Sequence, residues 1–233
     1  MLIAGFQKSS LLDYPKKISA VIFTQGCNMD CSYCHNRRII EPGYKDSCLS
    51  DVEILTFLMK RKKLLDGVVV TGGEPTLQKD LLSFISKVKN MGYSIKLDTN
   101  GTNPDVLNEL INNELIDYVA MDIKAPLSNY DKICCTKVDT EKIKKSIELL
   151  LKGNIEYEFR TTYVPGLKED DLISICKSIE GAQQYVVQQY KEVNSFEGSY
   201  TGLIEKRNII KEVVFEIKRY VCLLKFRGEF GII

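Results

Sequence analysis

The sequence is poor in histidine and contains no tryptophan. His35 is the only histidine among 233 residues, so it is the only one that could join a metal site. Neither sign of charge is in excess, because the sequence has 32 lysines and arginines and 31 aspartates and glutamates. Proteins that bind nucleic acid usually carry a basic tail or stripe. We therefore do not expect nucleic acid as a partner.

Long hydrophobic runs are also missing. No apolar stretch approaches the ~20 residues that are needed to span a bilayer. Residues 1–10 lack the charged and then apolar layout of a secretory signal. These absences predict a cytoplasmic protein without a membrane partner. In that reducing compartment, the eight cysteines are not expected to form a disulfide framework.

Three cysteines form a compact group, Cys27, Cys31 and Cys34, separated by three and then two residues. Three thiolates can hold three irons of a cubane 4Fe–4S cluster and leave the fourth iron open. A closed zinc site is the alternative, with His35 as fourth ligand, but zinc ligands that directly adjoin in sequence are unusual. The remaining cysteines are expected to be buried small apolar residues: Cys48, Cys134, Cys135, Cys176 and Cys222.

Buried strand patterns alternate with amphipathic helix patterns along the chain. The predicted strands are 18–24, 68–71, 94–98, 118–123, 155–163 and 185–189, after a strand or hairpin in 1–17 and before a short strand at 223–227. The predicted helices are 50–65, 79–90, 104–112, 140–151, 169–179 and 203–220. This alternation indicates an α/β fold with a parallel sheet.

Six β-then-α units suit a partial (β/α)6 TIM-like barrel, and a doubly wound open sheet is the alternative. We expect a single domain over 1–233, with an N-terminal extension 1–17, a barrel core 18–200, and a C-terminal helix and short strand in 201–233. Polar or glycine clusters follow most of the strands, which favours the barrel because its strand ends meet at one mouth. The clusters are Gly26-Cys27, Gly72-Gly73-Glu74, Asp98-Thr99-Asn100, Asp122 with Lys124, and Gln188-Gln189-Tyr190.

Each cluster has a plain and a functional interpretation. Gly72-Gly73 can be a simple turn, or it can let a ligand approach the backbone while Glu74 offers a negative charge to an ammonium. Asp98 and Asp122 can be helix N-caps. Together with a nearby lysine they would instead suit a zwitterionic ligand.

The cysteine motif, with Tyr33 before its last cysteine, and Gly72-Gly73-Glu74 resemble the radical S-adenosylmethionine (SAM) superfamily. Longer segments resemble the activating enzymes of glycyl radical enzymes. Among these, the chain is most similar to the longer activating proteins of anaerobic ribonucleoside-triphosphate reductase, and it is also similar to those of pyruvate formate-lyase. The segments are Leu-Leu-Asp-Tyr-Pro at 11–15, Cys-His-Asn at 34–36, Leu-Asp-Thr-Asn-Gly at 97–101, Met-Asp-Ile-Lys at 121–124 and Tyr-Val-Pro-Gly at 163–166.

This resemblance implies one 4Fe–4S cluster on the three cysteines, with SAM bound at the open iron. It implies reductive cleavage of SAM to methionine and a 5′-deoxyadenosyl radical, which takes a hydrogen atom from a glycine of the partner. The implied partner is a glycyl radical enzyme, first of all anaerobic ribonucleotide reductase. Flavodoxin or ferredoxin is the implied electron donor, because no second close cysteine group is present.

The resemblance also implies roles for individual residues. Tyr33 would lie beside the adenine, Gly72-Gly73-Glu74 would bind the methionyl amino group, and Lys124 would meet the carboxylate of SAM. The further implied contacts with SAM are Asn36, Asp98, Asn100, Arg160, Gln188, Tyr190 and Lys191. A monovalent cation is implied at Asp98, Thr99 and Asp122.

Two other functions are compatible with the sequence. One is a radical SAM enzyme that acts on a small molecule, in the manner of 7-carboxy-7-deazaguanine synthase. The other is a non-catalytic iron–sulfur protein.

Overall fold

The computed structural model describes residues 1–40, 49–191 and 208–232. Ten strands are present in these ranges: β1 Ile3–Ser10, β2 Ser19–Thr24, β3 Gly67–Gly72, β4 Ser94–Thr99, β5 Tyr118–Asp122, β6 Glu156–Tyr163, β7 Tyr185–Gln189, β8 Asn208–Ile209, β9 Leu224–Arg227 and β10 Gly231–Ile232. The α-helices are α1 Arg37–Ile40, α2 Asp51–Arg61, α3 Leu81–Asn90, α4 Pro104–Asn112, α5 Tyr130–Cys134, α6 Thr140–Leu151, α7 Glu169–Ser178 and α8 Lys211–Ile217. Short 3-10 helices lie at Pro75–Leu77 and Leu127–Asn129.

Eight strands form one sheet in the order β1-β2-β3-β4-β5-β6-β7-β9. β1 is antiparallel to β2, and all the following neighbours are parallel. Right-handed crossovers that always advance in one direction keep the helices on one side of the sheet. A doubly wound sheet reverses its strand order. The one-way order therefore confirms the predicted partial barrel.

The two faces of the sheet differ in chemistry, because successive side chains of a strand point to opposite faces. The outer face is apolar, and Ile22, Val70 and Leu97 lie there in the main core beneath the helices. The inner face has a small apolar cluster near the start of the strands, where the rings of Tyr14 and Tyr118 are 6.0 Å apart. Toward the C-terminal ends of the strands, the inner face becomes charged.

The helices and strands with the most accurately predicted bounds begin at residues that are typical of such positions. α4 begins at a proline in its first turn, α6 begins after the cap Asp139, and β7 has the predicted bounds. α2 starts with the predicted capping box, in which the Glu53 amide donates to Ser50 Oγ at 3.2 Å and the Ser50 amide donates to Glu53 Oε2 at 2.9 Å.

Among the described residues, the predicted helix 203–220 includes residues at both ends that are not helical. Residues 203–207 lie outside the described ranges. Asn208 and Ile209 are extended because they pair with Gly231 and Ile232 in a two-stranded parallel sheet. The helix starts only at Lys211 and ends at Ile217. The short helices α1 and α5 were not predicted, since neither is long enough to show a helical period.

The expectation for the scattered cysteines holds only in part. Cys134 and Cys176 are buried, but Cys135 and Cys222 are exposed, so the prediction of burial is wrong for these two. Cys48 lies outside the described residues. Within the described ranges, no helix combines the length and the apolar character that crossing a membrane would require.

Candidate cofactor site at the mouth of the barrel

The C-terminal ends of the parallel strands surround a cavity of ≈ 230 Å³. The three grouped cysteines line it, together with most of the side chains predicted from the strand ends. The predicted residues in its wall are Cys27, Cys31, Cys34, Tyr33, Asn36, Gly72, Gly73, Glu74, Asp98, Thr99, Asn100, Asp122, Lys124, Arg160 and Gln188. The wall does not include Tyr190 or Lys191.

The cysteine loop is fixed to the loop that follows β3. The Asn36 side-chain amide donates to the Gly72 carbonyl at 2.6 Å, and the Glu74 amide donates to the Gly26 carbonyl at 2.9 Å. Gly73 has no room for a side chain, because a Cβ there would overlap the Gly26 carbonyl oxygen. Gly72 has a φ of 118°, in the region that favours glycine. The two glycines are thus required for the close approach of the two loops.

Glu74 is fully buried beside this junction. Its Oε1 accepts bonds from the Thr76 amide at 3.1 Å, the Thr76 hydroxyl at 2.6 Å and the Thr99 hydroxyl at 2.8 Å. Its Oε2 accepts from the Asn100 amide at 2.7 Å. Burial raises the pKa of Glu74 in spite of these bonds. The carboxylate therefore joins the loops after β3 and β4, while its predicted contact with an ammonium stays a prediction.

Five charged side chains from three neighbouring strands and the loop after β5 alternate in sign across the inner face. We call Lys96, Asp98, Arg160, Asp122 and Lys124 the charge ladder. Asp98 accepts from Lys96 Nζ on one oxygen and from Arg160 Nη1 at 3.2 Å on the other. Asp122 accepts from Arg160 Nε at 2.8 Å and from Lys124 Nζ at 2.9 Å. Each of the four carboxylate oxygens thus accepts a bond from a cationic side chain.

The ladder keeps its carboxyl groups ionised. Burial alone would raise the pKa of Asp98 and of Asp122, but the charge of Arg160 and that of the nearest lysine outweigh it and lower both pKa values. In return, the two carboxylates raise the pKa of Arg160, although burial opposes this. The pKa of Lys124 is raised in the same way by Asp122.

Sequence reasoning missed several residues of the site. Lys96 is one, although the alternation of β4 would place it on the same face as Asp98. Asn28 is another: its side chain accepts from the Asn100 side-chain amide at 2.9 Å and donates to the Thr102 hydroxyl at 2.9 Å. The same Asn100 amide lies 3.9 Å from the sulfur of Cys27.

Cys134 was also missed as a neighbour of the grouped cysteines. Its carbonyl accepts from the Asp30 amide at 3.0 Å, and its thiol interacts with that of Cys31. This interaction is the main reason why the pKa of Cys31 is lowered and that of Cys134 is raised. No spacing rule could have found this contact, because the two residues are far apart in sequence.

The grouped thiols fit an iron–sulfur cluster better than one zinc ion. Among the residues that the structure describes, no three His, Cys, Asp or Glu side chains are close enough to hold a single metal ion. The thiols nevertheless share one wall, as expected of ligands that each bind a different iron. His35, the fourth ligand in the zinc alternative, has its Nε2 3.3 Å from the Lys191 carbonyl.

The cavity also has an unsatisfied polar group. The Tyr33 hydroxyl is buried, and although the Cys31 thiol approaches it, it has no well-formed hydrogen bond with the described residues. Most buried polar atoms in proteins have a hydrogen-bond partner, so this hydroxyl is available to a bound group. The cavity wall therefore brings together three thiols, the Tyr33 hydroxyl and four members of the charge ladder, Asp98, Asp122, Lys124 and Arg160.

Comparisons with known proteins agree with this site. The profile of the Radical SAM superfamily matches residues 21–179. A Methanocaldococcus jannaschii protein with the provisional name glycyl-radical enzyme activating enzyme is 38% identical over 228 residues, which cover 94% of this chain and 93% of that protein. Pyruvate formate-lyase 1-activating enzyme of Escherichia coli K12 is 30% identical over 176 residues, which cover 72% of this chain and 70% of that protein.

Two solved structures share the fold at low sequence identity. SuiB of Streptococcus suis, solved bound to S-adenosylmethionine, has a TM-score of 0.65 and 14% identity; the match covers 89% of this chain and 50% of that chain. A domain of pyruvate-formate lyase-activating enzyme from Bacteroides vulgatus has a TM-score of 0.52 and 18% identity, with 70% and 99% covered. This chain thus spans about half the length of the Streptococcus suis protein.

Proposed function

The chain belongs to the radical SAM superfamily, and we propose that it activates a partner glycyl radical enzyme. The observation that carries the proposal is one cavity whose wall holds three thiols, the Gly72-Gly73 loop and four of the five members of the charge ladder. The identity to the Methanocaldococcus jannaschii protein over nearly the whole chain supports the choice of reaction class.

In this proposal Cys27, Cys31 and Cys34 hold a 4Fe–4S cluster. When bound, the cluster and SAM supply reductive cleavage of a carbon–sulfur bond and the abstraction of a hydrogen atom from the partner's glycine. The chain's own residues hold and aim these groups. Asn100 places an N–H near the Cys27 sulfur, and hydrogen bonds to cluster sulfurs are one means of tuning the reduction potential.

The charge ladder is proposed to receive the carboxylate end of SAM. The charges of the ladder alone sum to +1, from three cations and two carboxylates, and its cationic end at Lys124 suits an anionic group. Lys124 lies in the loop after β5 and forms one end of the ladder. It lines the cavity, and its side chain is partly exposed. Arg160 holds both carboxylates and therefore fixes the ladder's shape.

The partner is proposed to be anaerobic ribonucleoside-triphosphate reductase, with flavodoxin or ferredoxin as the electron donor. This choice rests on the resemblance of the motifs, since the names of the relatives above point to glycyl radical enzymes in general or to pyruvate formate-lyase. A cytoplasmic location belongs to the same proposal. The seven described cysteines are free thiols, which suits a reducing compartment.

Anaerobic reconstitution tests the proposal. The protein is loaded with iron and sulfide and mixed with dithionite and SAM, and 5′-deoxyadenosine is measured. We expect 5′-deoxyadenosine from the wild type and from Cys222→Ala, which alters an exposed cysteine, but none from Cys31→Ala. Absence of the product from a fully loaded wild type would refute the proposal.

The second step tests the partner. Each candidate glycyl radical enzyme is added to the same mixture, and the glycyl doublet is followed by electron paramagnetic resonance. We expect the doublet with anaerobic ribonucleotide reductase. 5′-Deoxyadenosine without a doublet on any candidate would instead favour a small-molecule substrate.

A further inference from the structure

We propose that Lys96 is a built-in cation, which takes the place of the monovalent ion expected at Asp98, Thr99 and Asp122. The chain would then hold its ladder together without a bound metal cation. The effect of Lys96 on SAM binding rests on the proposed function, whereas its position, contacts and charge in the protein do not.

Lys96 is an unusual residue for its place. It lies in the middle of β4, and its whole side chain is buried, with 2% of the residue exposed. Lysine is almost never fully buried unless it is paired. Here the pair is with Asp98, two positions further along the same strand and therefore on the same face. The ammonium group of Lys96 thus pairs with the carboxylate that a metal cation would need as a ligand.

The other predicted ligands are also occupied. Both oxygens of Asp98 and both oxygens of Asp122 already accept from Lys96, Arg160 or Lys124. The Thr99 hydroxyl donates to Glu74 at 2.8 Å and accepts from the Gly101 amide at 3.1 Å. Thr99 directly follows Asp98 in β4, so its side chain lies on the opposite face of the strand, where it bonds to Glu74. The residues present do not fit a monovalent cation.

The charge balance leads to the same result. The three cations and two carboxylates of the ladder sum to +1 before any ion is added. A monovalent metal cation would raise the sum to +2 in a largely buried place, and like charges at short range are costly there. A lysine in place of the ion also leaves the ladder net positive, which suits a carboxylate ligand.

Lys96 is therefore a positioning residue. Lys96 binds one oxygen of Asp98, and Arg160 binds the other. Arg160 also binds Asp122, which in turn binds Lys124 at the end of the ladder. Loss of Lys96 would leave Asp98 with one partner and open a space next to it. An ion of suitable size could then enter where the ammonium was.

The wild-type protein gives the first test. The melting temperature of the cluster-free protein is measured in KCl, NaCl and choline chloride, each at about 0.15 M so that screening is equal. We expect the same melting temperature in all three salts, and SAM affinity of the reconstituted protein equal within roughly twofold. A saturable increase of either quantity with K⁺ or Na⁺ over choline would overturn the proposal.

Variants of Lys96 give the second test. In choline chloride, Lys96→Ala should melt roughly 5–15 °C below the wild type, because a buried pair is broken. KCl or NaCl should restore at least ~3 °C of this loss in a saturable manner. Lys96→Met removes the charge but fills the space, so the same salts should not restore it. A Lys96→Ala protein that melts equally in all salts would refute the replacement.

Lys89→Ala is the matched control. Lys89 pairs with Asp117 at 2.5 Å, but this pair is partly exposed and lies outside the cavity wall. Its variant should show no preference between metal cations and choline. If Lys96→Ala does not fold, the wild-type measurements alone decide. If the reconstituted wild type makes no 5′-deoxyadenosine, the proposed function fails while the melting temperatures still report on Lys96.

Discussion

Replacement of Asp122 by asparagine would remove one of the two negative charges of the charge ladder. Asp122 holds Arg160 at 2.8 Å and Lys124 at 2.9 Å, one on each oxygen. Asparagine keeps the shape but offers only one acceptor oxygen, so an amide N–H₂ would face one of the two cations. The sum of the remaining charges changes from +1 to +2. We expect a clear loss of folding stability.

The decrease in the free energy of unfolding depends on how deeply Asp122 and its partners are buried. Removal of one partner from a fully buried ion pair usually costs about 3–5 kcal/mol. The side chain of Asp122 is 26% exposed and that of Lys124 is 19% exposed, so part of the penalty is relieved by water. We therefore expect a decrease of about 2–4 kcal/mol in the free energy of unfolding. For a chain of this length that is roughly 5–15 °C in melting temperature.

Urea unfolding of the cluster-free protein, followed by circular dichroism, measures the change. Glu141→Gln is the control, because Glu141 pairs with Lys144 at 2.5 Å on the surface and should contribute at most about 1 kcal/mol. Higher ionic strength should reduce the effect of the surface variant but not that of Asp122→Asn, since buried pairs are screened less. Equal losses in the two variants would refute the role of the ladder.

Three other outcomes are expected. The lowered pKa values of Asp98 and Asp122 stabilise the fold fully above the unfolded-state pKa of ~3.9, and this contribution is lost as pH falls below it; an acid titration of melting temperature should therefore be less steep for Asp122→Asn than for the wild type. Gly73→Ala should lower the melting temperature by roughly 5 °C or more and weaken SAM binding, because of the overlap with Gly26. The control Gly5→Ala, where a Cβ meets only ordinary contacts, should change neither. Arg227→Met should cost about 1–3 kcal/mol in urea unfolding, because it removes both 2.9 Å bonds to the buried carboxylate of Glu158; an unchanged midpoint would show that Gln184 and Tyr118 suffice.

The fold was predictable where local signals and the overall winding agree. α4 and α6 keep their predicted bounds because a proline and an aspartate cap mark their starts. The C-terminal helix was not predictable in the same way. Residues 208–209 are extended because of their partner strand at 231–232, and no local pattern reports a partner that is distant in sequence.

The site was predictable to the extent that strand ends meet at one mouth. That rule brought the thiols, the glycine loop and the polar ends of β4 and β5 into one cavity. It could not find Lys96, which lies inside a strand rather than at its end. It also placed Tyr190 and Lys191 with the others, although they follow β7 at a point beyond the cavity wall.

Strand register explains why the ladder itself could not be inferred. Arg160 stands opposite Asp122 in the pairing of β5 with β6, and Asp98 stands opposite Ala120 in the pairing of β4 with β5. Arg160 therefore extends across β5 to reach Asp98, and Ala120, opposite Asp98, places only a methyl group on that face. We expect a larger residue at 120 to crowd this contact, even though all five members of the ladder would still be present. The alternating ladder thus depends on an apolar residue as much as on its charged members, and that dependence exists only once the strands are aligned.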